Sequence, residues 1–563
     1  MPSNFSENAP CSLIRLPREL LHAITSHLTN SDIKHLRAAS KAFQTTVLLR
    51  LDRVFLSANP LNIRVFRAIA DHEDFRHRVK EIVWDDARLT DTDYSIDTDY
   101  GLHRINPGLL RAKDIPEDCP AWFERGRRDT LMWRFNVVEG GWNGNTIPDD
   151  VMSLEDCWQY YKKLIKEQKA VLETAADIEA LRYGLHRFPS LRRMTLTPAA
   201  HGLYMGNPLY QTPMFRAFPE TFAYPIPRGW PGNEETSTPP EIYGWGHDEE
   251  FNRLTYGPDG TPREDPGCTL EEYKNIWRGF RVILRTLAQC EHSISEFVMA
   301  IHHRSTGMNC HIFDRPCQEY HDFVALVSKP GFRRLDLALC TGFQEGDEWC
   351  SFRSGLLRDA LAAATGLEHF SISSDMDIDA SGFPSQIEVL EDDSKAFLPL
   401  LAVFPVKNWP RLKHFGIIRF YVYQSELMTL FEALPFSLRS LEVSYMAFVE
   451  DGSGYMTLLN SLREKLSWKD RAPGQRPQIQ IRLDRDSFSR RGRYVSVDKA
   501  ASSFIYSDAS RDVPNPFGKE VYSLNLVEGL GAVDRSHLAP SFEIPFTVGG
   551  GHSLELIQYQ PYI

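Results

Sequence analysis

The sequence has no uninterrupted apolar run of about 18 residues, the length a membrane-spanning helix requires, so no span is expected. Cysteine is scarce: 9 in 563 residues, odd in number, scattered and never spaced C-x-x-C. That pattern excludes a disulfide framework and a zinc ribbon, and it fits reduced thiols in cytoplasm or nucleus. The opening Met1–Asn8 offers neither a basic nor an apolar region, so no secretory leader is expected. Basic residues are outnumbered, 63 Lys and Arg against 75 Asp and Glu, for a net charge of −12. A protein that coats nucleic acid over its whole surface is thereby excluded. Catalytic signatures are missing as well: no G-x-S-x-G, no H-E-x-x-H, and the run Gly549-Gly550-Gly551-His552 lacks the Lys-Ser/Thr of a phosphate loop. The acidic stretch Asp91–Asp99 lacks the central Gly and terminal Glu of a calcium loop.

What is present suffices for a sizeable core: 42% apolar residues and 12% aromatic. Within the first sixty residues, Leu16, Leu20, Leu21, Ile24 and Leu28 recur at helical spacing. Pro17 suits a first helical turn, and Ser31 is placed to cap a second helix carrying Ile33 and Leu36. Phe43, Val47, Leu51 and Val54 continue the pattern into an expected third helix. Three short helices bury little surface alone, so such a unit tends to keep apolar residues for a partner.

Leu16-Pro17-x-Glu19-Leu20-Leu21-x-x-Ile24-x-x-x-Leu28, followed by Asp32-Ile33-x-x-Leu36-x-x-x-Ser40-x-x-Phe43, resembles an F-box over residues 11–57. Phe43 stands where many members carry Trp. The resemblance implies docking onto the Skp-family adaptor, and through it cullin, of a Skp–cullin–F-box ubiquitin ligase. It assigns adaptor contact or support to Leu16, Pro17, Leu20, Ile24, Leu28, Ile33 and Leu36. The stretch from Arg50 through Trp84 to Leu89 is similar to a group of fungal F-box proteins, which adds no substrate.

Beyond residue 58, the motif Φ-x-x-Φ-x-Φ, with Φ apolar, recurs. Copies are Val79/Ile82/Trp84, Leu191/Met194/Leu196, Ile294/Phe297/Met299, Phe332/Leu335/Leu337, Leu367/Phe370/Ile372, Leu412/Phe415/Ile417 and Leu438/Leu441/Val443. Ile479/Ile481/Leu483 is a looser one, and segments of helical period separate most copies. Strand, loop and helix repeated in one sense predict an α/β fold, an irregular leucine-rich-repeat-like solenoid over 58–483. Two insertions interrupt it. The first, 86–152, precedes a long amphipathic stretch from Ser153 to about Arg187. The second, 198–268, is Pro- and Gly-rich and reads as a surface excursion, after which Thr269 and Glu272 form a capping box. Residues 484–563 read as a partly ordered tail whose basic cluster, Arg482 to Arg493, is a solvated linker.

Residues alternating with Φ should face out from the sheet, and Arg334, Asp336, His369 and Glu442 are the expected substrate-binding residues. The composite expectation is a non-catalytic substrate receptor without cofactor. It binds the adaptor by its N-terminal helices and an unidentified target protein by the repeats. Two rivals stand beside it: a scaffold that uses the adaptor without a ligase, and a metal-dependent enzyme. The second would rest on His302, His303, Cys310, His311, Cys317 and His321, residue types zinc accepts at a spacing that matches no known finger.

Overall fold

The computed structural model describes residues 13–517 except 14–15, 29, 92–115, 117, 137–150, 203–207, 228, 233–241, 243, 246–253, 257–261, 265–268, 303, 343, 345–347, 377–396, 450–452, 485–493 and 508–512. Its framework is a ten-stranded sheet in which every pairing is parallel. Nine strands follow one another side by side in chain order: β1 (Arg53–Leu56), β2 (Glu81–Asp85), β3 (Arg193–Thr197), β4 (Glu296–Met299), β5 (Arg334–Cys340), β6 (His369–Ser374), β7 (His414–Ile418), β8 (Ser440–Ser444) and β9 (Gln478–Gln480). The tenth, Met308–Asn309, pairs with the far end of β5. Parallel neighbours cannot be joined by a tight hairpin, so each interval must carry a crossover.

The register follows the repeat. The middle Φ of each regular copy is the Cα partner of the middle Φ in the next, and Ile479 of the looser copy continues the line. One file therefore runs Val54, Ile82, Met194, Phe297, Leu335, Phe370, Phe415, Leu441, Ile479. None of these is more than 1% exposed. Helices Pro60–Asp71, Ala176–Arg187, Arg278–Gln289, Gln318–Val327, Leu356–Ala363, Gln424–Glu432, Tyr455–Lys465 and Asp498–Tyr506 lie in a row, the single turn Leu400–Val403 filling one place. Their apolar faces and the file share one continuous core.

Local chemistry sets the helix starts. Asn59 accepts from the N–H groups of Leu61 and Asn62, with Pro60 at the first helical position. Ser153 accepts from Asp156 N at 3.0 Å, and Thr269 with Glu272 closes the expected capping box. Gly279 meets Asp86: its N–H donates to Oδ1 at 2.8 Å, and a Cβ there would lie 2.6 Å from the Trp84 indole nitrogen. Only glycine allows that approach.

Several expectations are corrected. The third N-terminal helix is Lys41–Thr46, so Leu51 and Val54 are not part of it. Instead Leu51/Val54/Leu56 is itself a copy of the repeat, because Val54 and Leu56 pair with Ile82 and Trp84. The second helix starts at Asn30, so Ser31 lies within it rather than ahead of it. The stretch from Ser153 to Arg187 is two helices, Leu154–Thr174 and Ala176–Arg187, broken at Ala175 with φ of 51°. Residues 198–268 are more than a surface excursion: Trp230 and Trp245 are sunk in the main core, their indole N–H groups donating to Asp86 (2.8 Å) and Glu319 (3.1 Å). Phe222 and Tyr224 join Phe123, Trp158 and Tyr161 in a second cluster, where the two insertions meet. In the tail, Tyr494–Ser496 pairs antiparallel with Arg482–Asp484, and helix Asp498–Tyr506 packs on β9 with Ala501, Phe504 and Ile505 buried. The rest of the tail, residues 518–563, lies outside the described residues.

Replacing a rung of the file opens a cavity that close-packed neighbours cannot collapse. Phe415→Ala should cost about 3–5 kcal/mol in denaturant unfolding. Leu401→Ala, at a side chain 45% exposed, should stay within about 1 kcal/mol.

Candidate functional site

The N-terminal helices are α1 (Arg18–Thr25), α2 (Asn30–Ala39) and α3 (Lys41–Thr46). Leu21, Ile33, Phe43 and Val47 form a small core of their own, with Leu28 and Leu36 packed partly against it. Polar ties close the unit: the Asn30 amide donates to Arg50 O at 2.9 Å and accepts from Arg50 N at 2.8 Å. Arg37 reaches Val47 O at 2.6 Å.

The expected single apolar stripe is divided by this packing. Leu21 turns inward with Ile33, which is 1% exposed and so supports the unit from within. Leu20 (52% exposed) and Ile24 (40%), one helical turn apart, face solvent with Pro17, and Leu16 is half-buried. Among the described residues, the exposed large apolar side chains are these two, Leu401 and Phe436. Fully burying a Leu or Ile is worth about 1.5–3 kcal/mol, so this pair on an eight-residue helix is a substantial unused driving force for association.

The sheet face opposite the helices carries the expected substrate-binding residues, and the structure brings them together differently from the expectation. They pair with one another along the sheet. Arg53 bonds Glu81 at 2.7 Å, Thr195 donates to Glu81 at 2.6 Å, and Arg193 bonds Glu296 at 2.6 Å. Arg334 bonds Asp336 at 2.6 Å, and His369 Nε2 lies 2.9 Å from the other Asp336 oxygen. The His369 and His414 rings stack at 4.0 Å and 10°, and His414 Nδ1 meets Ser440 Oγ at 3.0 Å. Glu442 accepts from Arg482 and, at 3.1 Å, from Ser444.

Burial is correspondingly deep, and Arg334 and Glu442 are 6% and 1% exposed. Of the expected substrate-binding residues, Arg334 and Glu442 are thus withdrawn into pairs, while the paired Asp336 and His369 stay partly exposed. A polar face need not be wet when each strand supplies the counter-charge of the next. Burial opposes ionisation of Asp336, yet Arg334 and His369 overcome it and hold the carboxyl far below the usual range. Burial likewise opposes ionisation of Glu296, and Arg193 and Arg333 outweigh it. For Glu442, burial prevails over Arg482 and raises the carboxyl. His414 is held neutral, first by burial and then by the neighbouring His369.

The Cys/His residues do not converge. His302 meets the Tyr210 hydroxyl at 2.8 Å, Cys310 lies against Thr341 O and Ser351, and His311 bonds Asp314 at 2.7 Å. Cys317 caps helix Gln318–Val327, on which His321 sits. His303 lies outside the described residues, as do Asp93–Asp99, Gly549–His552 and, of the basic cluster, Arg485–Arg493. Among the described residues, no group of three or more His, Cys, Asp or Glu is placed to hold a metal ion.

One constellation escaped the sequence reading. At the end of β2, Asp85 Oδ2 is buried without a hydrogen-bond partner, 3.8 Å from His201 Nε2, and His201 Nδ1 meets the Tyr224 hydroxyl at 2.9 Å. The three side chains are sealed, at 4%, 2% and 4% exposure, so no substrate reaches them. They fasten the second insertion to the strand ends. The two acids closing β2, Asp85 and Asp86, were the available signal, since buried carboxylates require designated partners.

Burial depresses His201 to about 3, whereas an unfolded His titrates near 6.5. Below pH 6.5 the unfolded chain gains a proton that the folded chain refuses, so the contribution of His201 falls as pH falls. Relative to His201→Asn, the protein should lose up to about 1.4 kcal/mol per pH unit between pH 6.5 and 4, read from urea midpoints. Compared with known proteins, the chain matches no family model and none of the curated proteins.

Proposed function

We propose that this chain is a substrate receptor of a Skp–cullin–F-box ubiquitin ligase. Residues 11–57 act as an F-box that docks a Skp-family adaptor, and the sheet-and-helix body acts as an irregular leucine-rich-repeat-like solenoid that holds a target protein. The observation that carries this reading is the outward pair Leu20 and Ile24 on a unit with its own core. A helix that buries Leu21 in the core it shares with Ile33 of α2, while keeping Leu20 and Ile24 in water, is built for a partner. The body supports the second half. Parallel strands added one by one in chain order, each with a helix beside the last, are what a solenoid of strand–helix repeats requires.

The mechanism asks for no chemistry from this chain. Tethering adaptor and target to one rigid body raises the effective concentration of target lysines near the charged enzyme that other subunits bring. In the proposed docking, Leu20 and Ile24 are central anchors, Leu16 and Pro17 flank them, and Leu28 and Leu36 lie at the margin. Ile33 holds the unit's shape from inside.

The test is affinity of the full-length chain for recombinant adaptor. Leu20→Asp combined with Ile24→Asp leaves the small core intact and should weaken binding at least about 30-fold, because buried anchors are worth 2 kcal/mol or more. Unchanged affinity would sink the docking half. Cullin recovered with the adaptor supports the ligase, whereas adaptor alone returns the scaffold reading.

A further inference from the structure

Just before the strands, the chain places one residue per repeat on the leading edge of the sheet, and the backbone links these residues in series. Arg192 N–H donates to Lys80 O (3.0 Å), Ser295 to Arg192 (2.9 Å) and Arg333 to Ser295 (2.8 Å). The chain of bonds goes on from Glu368 to Arg333 (2.8 Å), from Lys413 to Glu368 (2.7 Å) and from Arg439 to Lys413 (2.7 Å). The series runs on to Asp52 at one end (2.7 Å) and Gln478 at the other (2.8 Å); of the seven residues between them five are Lys or Arg, on a chain whose net charge is −12. Unlike the charges deeper on the face, they reach water: the side chains of Lys413, Arg192 and Arg333 are 59%, 49% and 39% exposed. Lys80 is exposed too.

Lys413 is paired with Glu368 at 2.8 Å, whereas the charge around Glu296 is not cancelled locally. The Glu296 carboxylate takes Arg193 at 2.6 Å, Arg333 at 2.7 Å and Arg192 at 3.6 Å. One carboxylate cannot neutralise three guanidiniums, so the edge projects net positive charge into solvent.

We infer that this edge is a docking track for an extended acidic segment of a partner protein. Neighbouring strands are about 4.8 Å apart, so Lys80 to Arg439 spans roughly 29 Å, the length of about nine extended residues. Guanidinium forks at Arg192 and Arg333 suit carboxylates, which they grip in bidentate fashion. A protein segment fits better than nucleic acid. Glu368 interrupts the row, and an acidic chain repels a continuous polyphosphate. A peptide simply places a neutral or basic residue opposite Glu368. The inference goes beyond the proposed receptor function, and peptide binding to the purified chain succeeds or fails independently of adaptor docking.

The experiment is fluorescence anisotropy of the full-length chain with a labelled nonapeptide of Asp and Glu, at low and at high salt. An Asn/Gln nonapeptide and a nine-nucleotide RNA are the comparison probes. The acidic peptide should bind at low salt and be released at high salt, since exposed charges are screened. Lys80→Glu with Arg192→Glu, which leaves Glu296 held by Arg193 and Arg333, should weaken binding at least tenfold. The single exposed change Lys413→Glu, remote from Glu296, should weaken it several-fold and guards against misfolding of the double variant. Lys163→Glu with Lys166→Glu, exposed on helix Leu154–Thr174, should leave binding unchanged. Absence of acidic-peptide binding, indifference to the edge reversals, or RNA binding as tight as the peptide overturns the inference.

Discussion

Each strand of the sheet hands its register to the next through backbone hydrogen bonds, so that the middle apolar residue of every repeat falls in one file from Val54 to Ile479. Everything else in the body answers to that file. A slip of one residue anywhere would move a whole strand's apolar set to the other face, so the register is strongly specified. Parallel pairing then forces a crossover in every interval, and the helices that supply it lie in a row over the file. Where an interval is long, the added chain departs from this layer and builds its own aromatic cluster.

The same register governs the other face. In-register strands bring the residues that alternate with Φ together as well, and their charges alternate: Arg53, Glu81, Arg193, Glu296, Arg334. Opposite charges directly across neighbouring strands attract, and like charges would destabilise the pairing. The face can therefore be polar and still largely withdrawn from water. A buried ion pair is weak evidence for net stability, because desolvation offsets much of the attraction. Its effect here is geometric: each of these charges is committed to a partner on its own strand, as Arg334 is to Asp336, or on a nearby one, as Arg193 is to Glu296.

The N-terminal helices are bound by another constraint. Four buried side chains make a core too small to engulf every apolar residue of three helices. Leu20 and Ile24 stay outside because Leu21 and Leu28 have taken the inward positions. The exposed pair is thus a consequence of unit size, and it is also what gives the unit something to offer a partner.

Strand positions were legible in the sequence, since Φ-x-x-Φ-x-Φ is a local pattern: its seven regular copies became strands of the sheet, and the looser eighth was divided, Ile479 entering the sheet and Leu483 a separate antiparallel pair. The helix start at Thr269 was legible for the same reason, since its capping box closes within three residues, and the caps at Asn59 and Ser153 are equally local. Leu51–Leu56 misled because its apolar spacing suits a helix as well as a strand, and pairing with Ile82 and Trp84 decided between them. The remainder depended on partners remote in the chain. Arg193 meets Glu296 from 103 residues away, Thr195 meets Glu81 from 114, and Trp230 meets Asp86 from 144. Sequence alone determined which residues alternate out of the core. Tertiary structure decided which of them are spent on one another and which stay exposed, because charge and burial are properties of neighbours, and these neighbours exist only once the strands are in register.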